Sequence, residues 1–214
     1  MRILGVIFDL DGVILSTDEY HYLAWLDMAK KENIYFDREI NERLRGVSRM
    51  DSLEIVLERS TKKYSQEEKI KLCEYKNNKY RALLEKLSPK DIFPGATDFL
   101  KFLLYKKIKI AIGSSSKNAK YILKKIELYD MFDGHISDGT NITKSKPDPE
   151  VFTKAAEMLK INPCNCLVIE DAYAGIEAAK KGGMIAMGIG SAKDCSLCDL
   201  RADDISSIDK SIFE

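Results

Sequence analysis

Residues 3–12 read ILGVIFDLDG, an apolar run that ends in two acidic side chains, Asp9 and Asp11. In an extended segment residues i and i+2 point the same way, so we expect the two carboxylates to stand side by side, about 6 to 7 Å apart. Two anions this close repel each other, and each loses hydration near a sheet edge. Such a pair normally persists because a cation or a proton-transfer task holds it there, and hard carboxylate oxygens suit Mg²⁺. The stretch therefore predicts a buried strand with a chemical site at its carboxyl end.

Similar apolar runs recur later in the chain, at residues 108–112, 167–169 and 185–189. Helical patterns separate these runs, and the clearest of them is an amphipathic stripe. The stripe consists of Val151, Phe152, Ala155, Ala156 and Leu159. Continuously apolar strands that alternate with helices predict an α/β fold, a doubly wound, Rossmann-like parallel sheet covered on both faces. Ligands of such sheets bind at the carboxyl ends of the strands.

Residues 16–87 follow a different pattern, without a convincing strand. Capping boxes at Ser48–Asp51 and at Ser65–Glu68 predict two helix starts. The second helix is expected to bury one face, formed by Ile70, Cys73, Asn77, Tyr80, Leu84 and Leu87. We therefore predict a helical cap domain over 16–87, inserted into a core domain formed by 1–15 and 88–214. Two linkers would tether the cap above the carboxylates, as in a lid.

Composition narrows the class of protein. The chain has 214 residues, and its Lys and Arg residues balance its Asp and Glu residues at 34 each. A balanced charge gives no field that recruits nucleic acid or an anionic membrane. The apolar stretch before Asp9 is too short for a secretory signal, and no run approaches the roughly 18 apolar residues of a spanning helix. We expect a cytoplasmic protein, a monomer, without a nucleic-acid or membrane partner.

The five cysteines are an odd number, which argues against a disulfide framework. Cys164 and Cys166 precede one predicted strand, and Cys195 and Cys198 have the Cys-x-x-Cys spacing that zinc sites and redox sites share. Small buried cysteines are common in proteins. Free thiols are therefore the favoured interpretation, and a metal or redox role is the alternative.

Polar residues follow the other predicted strands as well. Ser114-Ser115-Ser116-Lys117-Asn118 comes after the second strand and precedes a helix, a position that can bind phosphate. Lys146 stands before a proline, and Glu170-Asp171 ends the next strand. Taken singly, these are a serine-rich helix cap, a solvated lysine and an acidic cap. Two acidic pairs in one sheet, with serines and a lysine between them, predict a metal and phosphate site.

The order of these motifs resembles the haloacid dehalogenase superfamily of phosphotransferases. The matching segments are Asp9-x-Asp11-Gly12-Val13, Ser114, Lys146-Pro147-x-Pro149 and Glu170-Asp171 followed by Ala174-Gly175-Ile176. The resemblance implies that Asp9 is a nucleophile that forms an acyl phosphate. It implies that Mg²⁺ binds the Asp9 carboxylate, the Asp11 backbone carbonyl and Asp171, with Glu170 adjacent. Ser114 and Lys146 would neutralise the phosphoryl oxygens.

The resemblance extends into the cap, to the superfamily's sugar phosphomutases. It implies that Asp11 is the general acid and base, and that His21 shuttles a proton or aligns Asp11. It assigns Arg49 to a distal phosphate. The substrate-binding residues that it implies are Thr17, Trp25, Gly46, Val47, Arg49, Ser52, Lys76, Ser114, Ser116, Lys117, Asn118 and Lys146. For His21, Trp25, Arg49 and Lys76 the alternatives are a locally bonded histidine, a core tryptophan and solvated charges.

Three positions depart from the pattern. Ser16 stands where an aspartate is usual, Arg45 where a lysine is common, and Ser115 where an alanine is usual. Only Ser16, at the expected hinge, is predicted to matter.

The resemblance implies a small-molecule substrate. A Mg²⁺-dependent enzyme would interconvert β-glucose 1-phosphate and glucose 6-phosphate through a 1,6-bisphosphate. The nearest alternative is a sugar-phosphate phosphatase of the same fold, since only the cap distinguishes the two. A non-catalytic sugar-phosphate sensor is disfavoured because Asp9, Asp11 and Asp171 are all present. A dinucleotide-binding protein is disfavoured because no G-x-G-x-x-G motif follows the first strand.

Overall fold

The chain forms two compact units in a computed structural model that describes residues 2–214. The first unit comprises the chain up to Ser16 together with Ser88–Glu214, and the second is Thr17–Leu87. Ser16 therefore lies in the first unit, one residue away from the boundary expected for the cap.

The first unit is built on a parallel sheet, as predicted. Its strands are β1 (Gly5–Phe8), β2 (Lys109–Gly113), β3 (Ile136–Ser137), β4 (Cys166–Glu170), β5 (Ile185–Gly188) and β6 (Leu200–Arg201). They are arranged in the order β3-β2-β1-β4-β5-β6, and every pairing is parallel. The two-residue strands β3 and β6 were not predicted, because so short a segment carries no periodic pattern.

Helices connect the strands and form the second unit. In the described part of the chain they are α1 (Asp18–Lys31), α2 (Arg38–Glu42), α3 (Arg49–Leu57), α4 (Gln66–Leu84), α5 (Ala96–Tyr105), α6 (Ala119–Lys125), α7 (Glu150–Leu159) and α8 (Tyr173–Lys181), besides short 3₁₀ turns. None of the described helices has the length and apolar character needed to cross a bilayer.

Strand β1 is buried because successive side chains point to opposite faces of a covered sheet. Ile7 joins an apolar cluster that contains Phe152 and the rest of the predicted stripe of α7. Phe8 packs edge-on against Phe99 at 6.1 Å and Phe132 at 6.5 Å between ring centroids. Both residues are fully buried, so the apolar run that precedes Asp9 lies in the core.

The second unit has its own apolar core, which α1, α3 and α4 share with the segments between them. The predicted capping box of α4 is present, since the Ser65 side chain accepts from the Glu68 N–H and the Glu68 side chain accepts from the Ser65 N–H. The buried face of α4 differs from the prediction. Ile70 is 45% exposed, whereas Lys76 is only 2% exposed. Lys76 lies inside the unit because it contacts the side chains of His21, Trp25 and Tyr80.

Candidate active site

Asp9 and Glu170 lie at the point where the strand order reverses. From β1 the sheet continues through β2 to one edge and through β4 to the other. In open parallel sheets this switch point creates a crevice at the strand carboxyl ends, and ligands bind there. The Asp9 N–H donates to the Ile169 carbonyl at 3.0 Å, so the first acidic residue leaves β1 directly beside the end of β4.

Three carboxylates converge at this point. Asp9, Glu170 and Asp171 each offer an oxygen within 4.8 Å of the others, and Asp9 and Glu170 are buried. A compact set of hard oxygens in a buried crevice fits a divalent cation such as Mg²⁺. Asp11 does not belong to this group of carboxylates.

Lys146 links the two buried members of this group. Its Nζ atom lies 2.5 Å from Asp9 Oδ1 and 2.7 Å from Glu170 Oε2. The residue is 5% exposed, so the lysine is not the solvated side chain that was its alternative interpretation. One ammonium between two carboxylates offsets part of their mutual repulsion and fixes both in place.

Burial and charge shift the pKa values of all three groups. Burial raises the pKa of Asp9 to about 7, with Lys146 acting against the increase and Glu170 adding to it. Burial also raises the pKa of Glu170, again against Lys146. Burial disfavours the charge on Lys146, but Asp9 and Glu170 together raise its pKa above the ordinary value. Without a bound cation, a proton therefore competes for the Asp9 carboxylate near neutral pH.

Two glycines allow the acidic residues to come this close, and neither was predicted as a site residue. A Cβ atom on Gly175 would lie 1.9 Å from Glu170 Oε2, and one on Gly12 would lie 2.1 Å from Asp171 Oδ2. Gly12 also has a φ of 90°, a conformation that side chains disfavour. Both glycines stood in the motifs quoted above, but their spatial role depends on contacts between distant segments.

The serine-rich loop follows β2, the neighbour of β1. Ser114 is buried, and its N–H donates to the Ser137 carbonyl at 3.0 Å. The Ser114 hydroxyl accepts from the Ser116 N–H at 3.2 Å, and the Ser116 hydroxyl accepts from the Asn118 N–H at 3.1 Å. Lys117 is exposed, and Asn118 is the residue that precedes α6. The hydroxyls of Ser114 and Ser116 therefore hold the loop in shape.

A second polar cluster lies inside the second unit, around Lys76. The Lys76 Nζ atom is 2.7 Å from His21 Nδ1 and lies 4.9 Å from the ring centroid of Trp25 and 4.8 Å from that of Tyr80. The Tyr80 hydroxyl is 2.7 Å from Thr17 Oγ1. Four predicted site residues thus meet in one cluster. Tyr80 completes it, although its sequence pattern indicated only a core residue.

The cluster keeps His21 neutral. Burial lowers the pKa of His21 well below 6.5, and the positive charges of Lys76 and Arg49 lower it further. Since a lysine ammonium only donates hydrogen bonds, His21 Nδ1 accepts, and the neutral ring carries its proton on Nε2. Burial also lowers the pKa of Arg49, the first residue of α3.

The remaining predicted cap residues lie near the start of α3. Ser52 is buried in the first turn of that helix, and the preceding Gly46 has a φ of 75°. Val47 is half-buried. The Ser48 side chain caps α3 by accepting from the Asp51 N–H, which is one half of the predicted capping box.

A buried lysine bound to two of three clustered carboxylates, at the switch point of a parallel sheet, forms a site that suits a divalent cation and a bound anion such as phosphate. A family model for haloacid dehalogenase-like hydrolases matches residues 3–183, and the chain belongs to that family. A beta-phosphoglucomutase of Bacillus subtilis is 47% identical over 198 residues, which cover 92% of this chain and 87% of the relative. The crystal structure of a Clostridium difficile beta-phosphoglucomutase superimposes with a TM-score of 0.92 at 40% identity, covering 99% of this chain and 95% of that one. A phosphorylated carbohydrates phosphatase of Thermotoga maritima is 30% identical over 84% of this chain and 82% of its own length.

Proposed function

We propose that the protein is a Mg²⁺-dependent β-phosphoglucomutase, which interconverts β-D-glucose 1-phosphate and β-D-glucose 6-phosphate through β-glucose 1,6-bisphosphate. The observation that carries this proposal is the 47% identity to a beta-phosphoglucomutase over 92% of the chain, a span that must include most of the second unit. The phosphatase relative is more distant, at 30% identity. The core motifs are common to mutases and phosphatases of this family. Similarity that extends over the second unit therefore favours the mutase.

Asp9 is the proposed nucleophile. Its carboxylate oxygen would form a bond to phosphorus while the bond between phosphorus and the sugar oxygen breaks, giving an aspartyl phosphate. Each pair of like charges opposes this approach by about 4 kcal/mol at 4 Å and an effective dielectric constant near 20. Lys146 offsets part of that repulsion, since its Nζ atom already lies 2.5 Å from Asp9 Oδ1. Mg²⁺ held by Asp9, Glu170, Asp171 and the Asp11 backbone carbonyl would supply the remaining positive charge.

Proton transfer is assigned to Asp11. It would give a proton to one sugar oxygen and remove one from another, a role worth about 10² to 10⁴ in rate. His21 is neutral and its Nδ1 atom accepts from Lys76, so it is a poor proton acceptor, and its part in a relay would be to pass on the Nε2 proton. Its contact with Lys76 fixes the ring and therefore suits a positioning role as well.

Substrate binding is assigned to residues of both units. The guanidinium of Arg49 suits the distal phosphate because its planar fork matches phosphate oxygens. Sugar recognition is assigned to the Lys76 cluster and to the segment before α3. Phosphate contacts on the core side are assigned to the loop after β2. The second-unit residues in this proposal are Thr17, Trp25, Gly46, Val47, Arg49, Ser52 and Lys76, and those of the loop are Ser114, Ser116, Lys117 and Asn118.

An assay of product partition tests the proposal. The protein is incubated with Mg²⁺, β-glucose 1-phosphate and a trace of the 1,6-bisphosphate, and both glucose 6-phosphate and free phosphate are measured. We expect glucose 6-phosphate to be the main product. Asp9→Asn is the matched control, since it removes the nucleophile at nearly constant size and should abolish both products. Predominant release of free phosphate by the unmodified protein would favour the phosphatase instead.

A further inference from the structure

Cys195 and Cys198 form a thiol pair that the proposed function does not use. They follow the 3₁₀ turn Gly190–Asp194, in the segment between β5 and β6. The Cys198 N–H donates to the Cys195 carbonyl at 3.2 Å, so the two residues close a tight turn. Such a turn keeps its end Cα atoms within about 7 Å, and disulfides span about 4.4 to 6.8 Å between Cα atoms. The backbone is therefore already close to what a disulfide requires.

The two thiols share a largely buried environment. Both residues are largely buried, at 5% and 7% exposure. The Cys198 Sγ atom donates to the Ala192 carbonyl at 3.3 Å, and an Arg201 nitrogen donates to the Cys195 carbonyl at 3.2 Å. Burial raises the pKa of Cys198, the Cys195 side chain raises it further, and Arg201 lowers it. The guanidinium of Arg201 therefore offsets only part of the effect of burial, which disfavours the thiolate through which sulfur reacts.

The other cysteines have no comparable arrangement. All five are free thiols, so the structure is that of the reduced protein. Cys164 is exposed and Cys166 is buried in β4, whereas Cys73 belongs to the second unit. Of the five cysteines, Cys195 and Cys198 are thus the two buried ones that a single hydrogen-bonded turn brings together.

The turn that precedes the pair also contacts the acidic site. The Ile189 N–H donates to the Glu170 carbonyl at 2.9 Å, and the Ser191 hydroxyl donates to the Asp171 carbonyl at 2.9 Å. The Cys195 N–H donates to the Ala192 carbonyl in the same turn. A short hydrogen-bonded path therefore runs from the thiols to two of the proposed metal ligands.

We propose that Cys195 and Cys198 are an oxidation site that closes to an intramolecular disulfide on reaction with a hydroperoxide, and that this bond loosens the acidic site. One thiolate attacks the peroxide O–O bond, forming a sulfenic acid and releasing hydroxide, or an alkoxide from an organic hydroperoxide. The second thiol then attacks that sulfur and forms the S–S bond, while the sulfenic oxygen leaves as water. Two thiols are oxidised by two electrons, and one peroxide is reduced.

Peptide mapping tests the oxidation site without reference to enzyme activity. Trypsin cuts after Lys193 and after Arg201, so the peptide 194–201 carries both cysteines and no other. After exposure to hydrogen peroxide and blocking of free thiols, we expect this peptide to be lighter by two hydrogen atoms, to resist alkylation, and to recover both thiols with dithiothreitol. Exposed Cys164 reports that peroxide has reached the protein. Oxidation of Cys164 while Cys195 and Cys198 both remain fully alkylated would overturn the proposal.

The effect on the acidic site rests on the proposed function, whereas the disulfide does not. Mg²⁺ affinity of the oxidised and reduced protein is measured by titration calorimetry. We expect oxidation to weaken binding about tenfold, as loss of support behind metal ligands does. Cys198→Ser keeps a hydroxyl donor for the Ala192 carbonyl and should show no change with peroxide. Equal affinities in both forms of the unmodified protein would overturn the coupling, and absence of Mg²⁺ binding in the reduced form would instead contradict the proposed function.

Discussion

Lys146 shows how much one side chain contributes to the candidate site. It contacts Asp9 and Glu170 together, which come from segments 137 and 24 residues away in sequence. Removing it would leave two buried carboxylates without their compensating charge, a change that typically destabilises a protein by about 3 to 5 kcal/mol. A loss of activity in a Lys146 variant could therefore come from lower stability or from lost catalysis. Variants of other residues separate these two effects.

Arg49→Ala tests the proposed distal phosphate contact. Loss of a charge-assisted hydrogen bond of about 1.5 to 3 kcal/mol should reduce mutase turnover about 10- to 100-fold. Phosphorylation of Asp9 by a small donor such as acetyl phosphate has no distal phosphate, so it should change little. Arg43→Ala is the matched control, since Arg43 is exposed and pairs with Glu58 in the same unit. Equal losses in the two reactions of Arg49→Ala would argue against a distal contact.

Lys76→Met tests the electrostatics of the second cluster. The positive charge of Lys76 lowers the pKa of His21, so its removal should raise that pKa, while burial continues to hold it down. The measurement is an NMR titration of the histidine ring protons, with His135, the other histidine, as reference. Lys79→Met on the same helix is the control, because Lys79 instead pairs with Asp27. An unchanged His21 titration in Lys76→Met would contradict the contact.

At the scale of elements, helix α8 and strand β4 meet at a glycine. Gly175 lies in the third position of α8. A side chain there would collide with the Glu170 carboxylate, because a Cβ atom would come within 1.9 Å of its Oε2 atom. The absence of a side chain at Gly175 therefore leaves room for the Glu170 carboxylate, in addition to allowing the helix to pack against the strand end.

Gly175→Ala tests this requirement. Alanine favours the helix itself by up to about 1 kcal/mol, yet Glu170 must move to admit the methyl group. We expect Mg²⁺ affinity to fall about 10- to 100-fold, as for altered support of a metal ligand. Calorimetric titration measures it, and Gly182→Ala at the end of α8 is the control, since its added methyl group would face Pro149 and not the acidic site. An affinity equal to that of the control would contradict the steric argument.

At the scale of the molecule, the strand order brings the carboxylates together only in the folded first unit. A cation that binds them therefore stabilises the folded state. At a Mg²⁺ concentration 100 times its dissociation constant the gain is about 2.7 kcal/mol, which raises the melting temperature of a domain this size by roughly 5 to 10 °C. Differential scanning calorimetry with and without Mg²⁺ measures it. Asp171→Asn should lose most of the shift, and an undiminished shift in that variant would place the cation elsewhere.

The sequence alone was sufficient to predict the class of fold. The run before Asp9, the stripe of α7 and the capping box of Ser65 and Glu68 are local patterns, and the structure confirms each of them. Local patterns succeed because burial on both faces of a strand, or on one face of a helix, appears in the order of residues itself. The family resemblance is also confirmed, since it rested on motifs spread over the core. The catalytic, substrate-binding and metal-binding roles of the individual site residues stay predictions.

Only the tertiary structure decided which of these residues meet. Lys146 joins Asp9 and Glu170 because strand order and register align the ends of β1 and β4, and no sequence spacing encodes that alignment. Lys76 is buried against His21 because helices α1 and α4 pack together, although its position on α4 resembles that of a solvated lysine. Ile70 is exposed for the same reason, since the packing partner selects the buried face. Contacts between distant segments determine which charged groups are buried and how closely they approach one another. An acidic motif can bind a ligand only when these contacts are made.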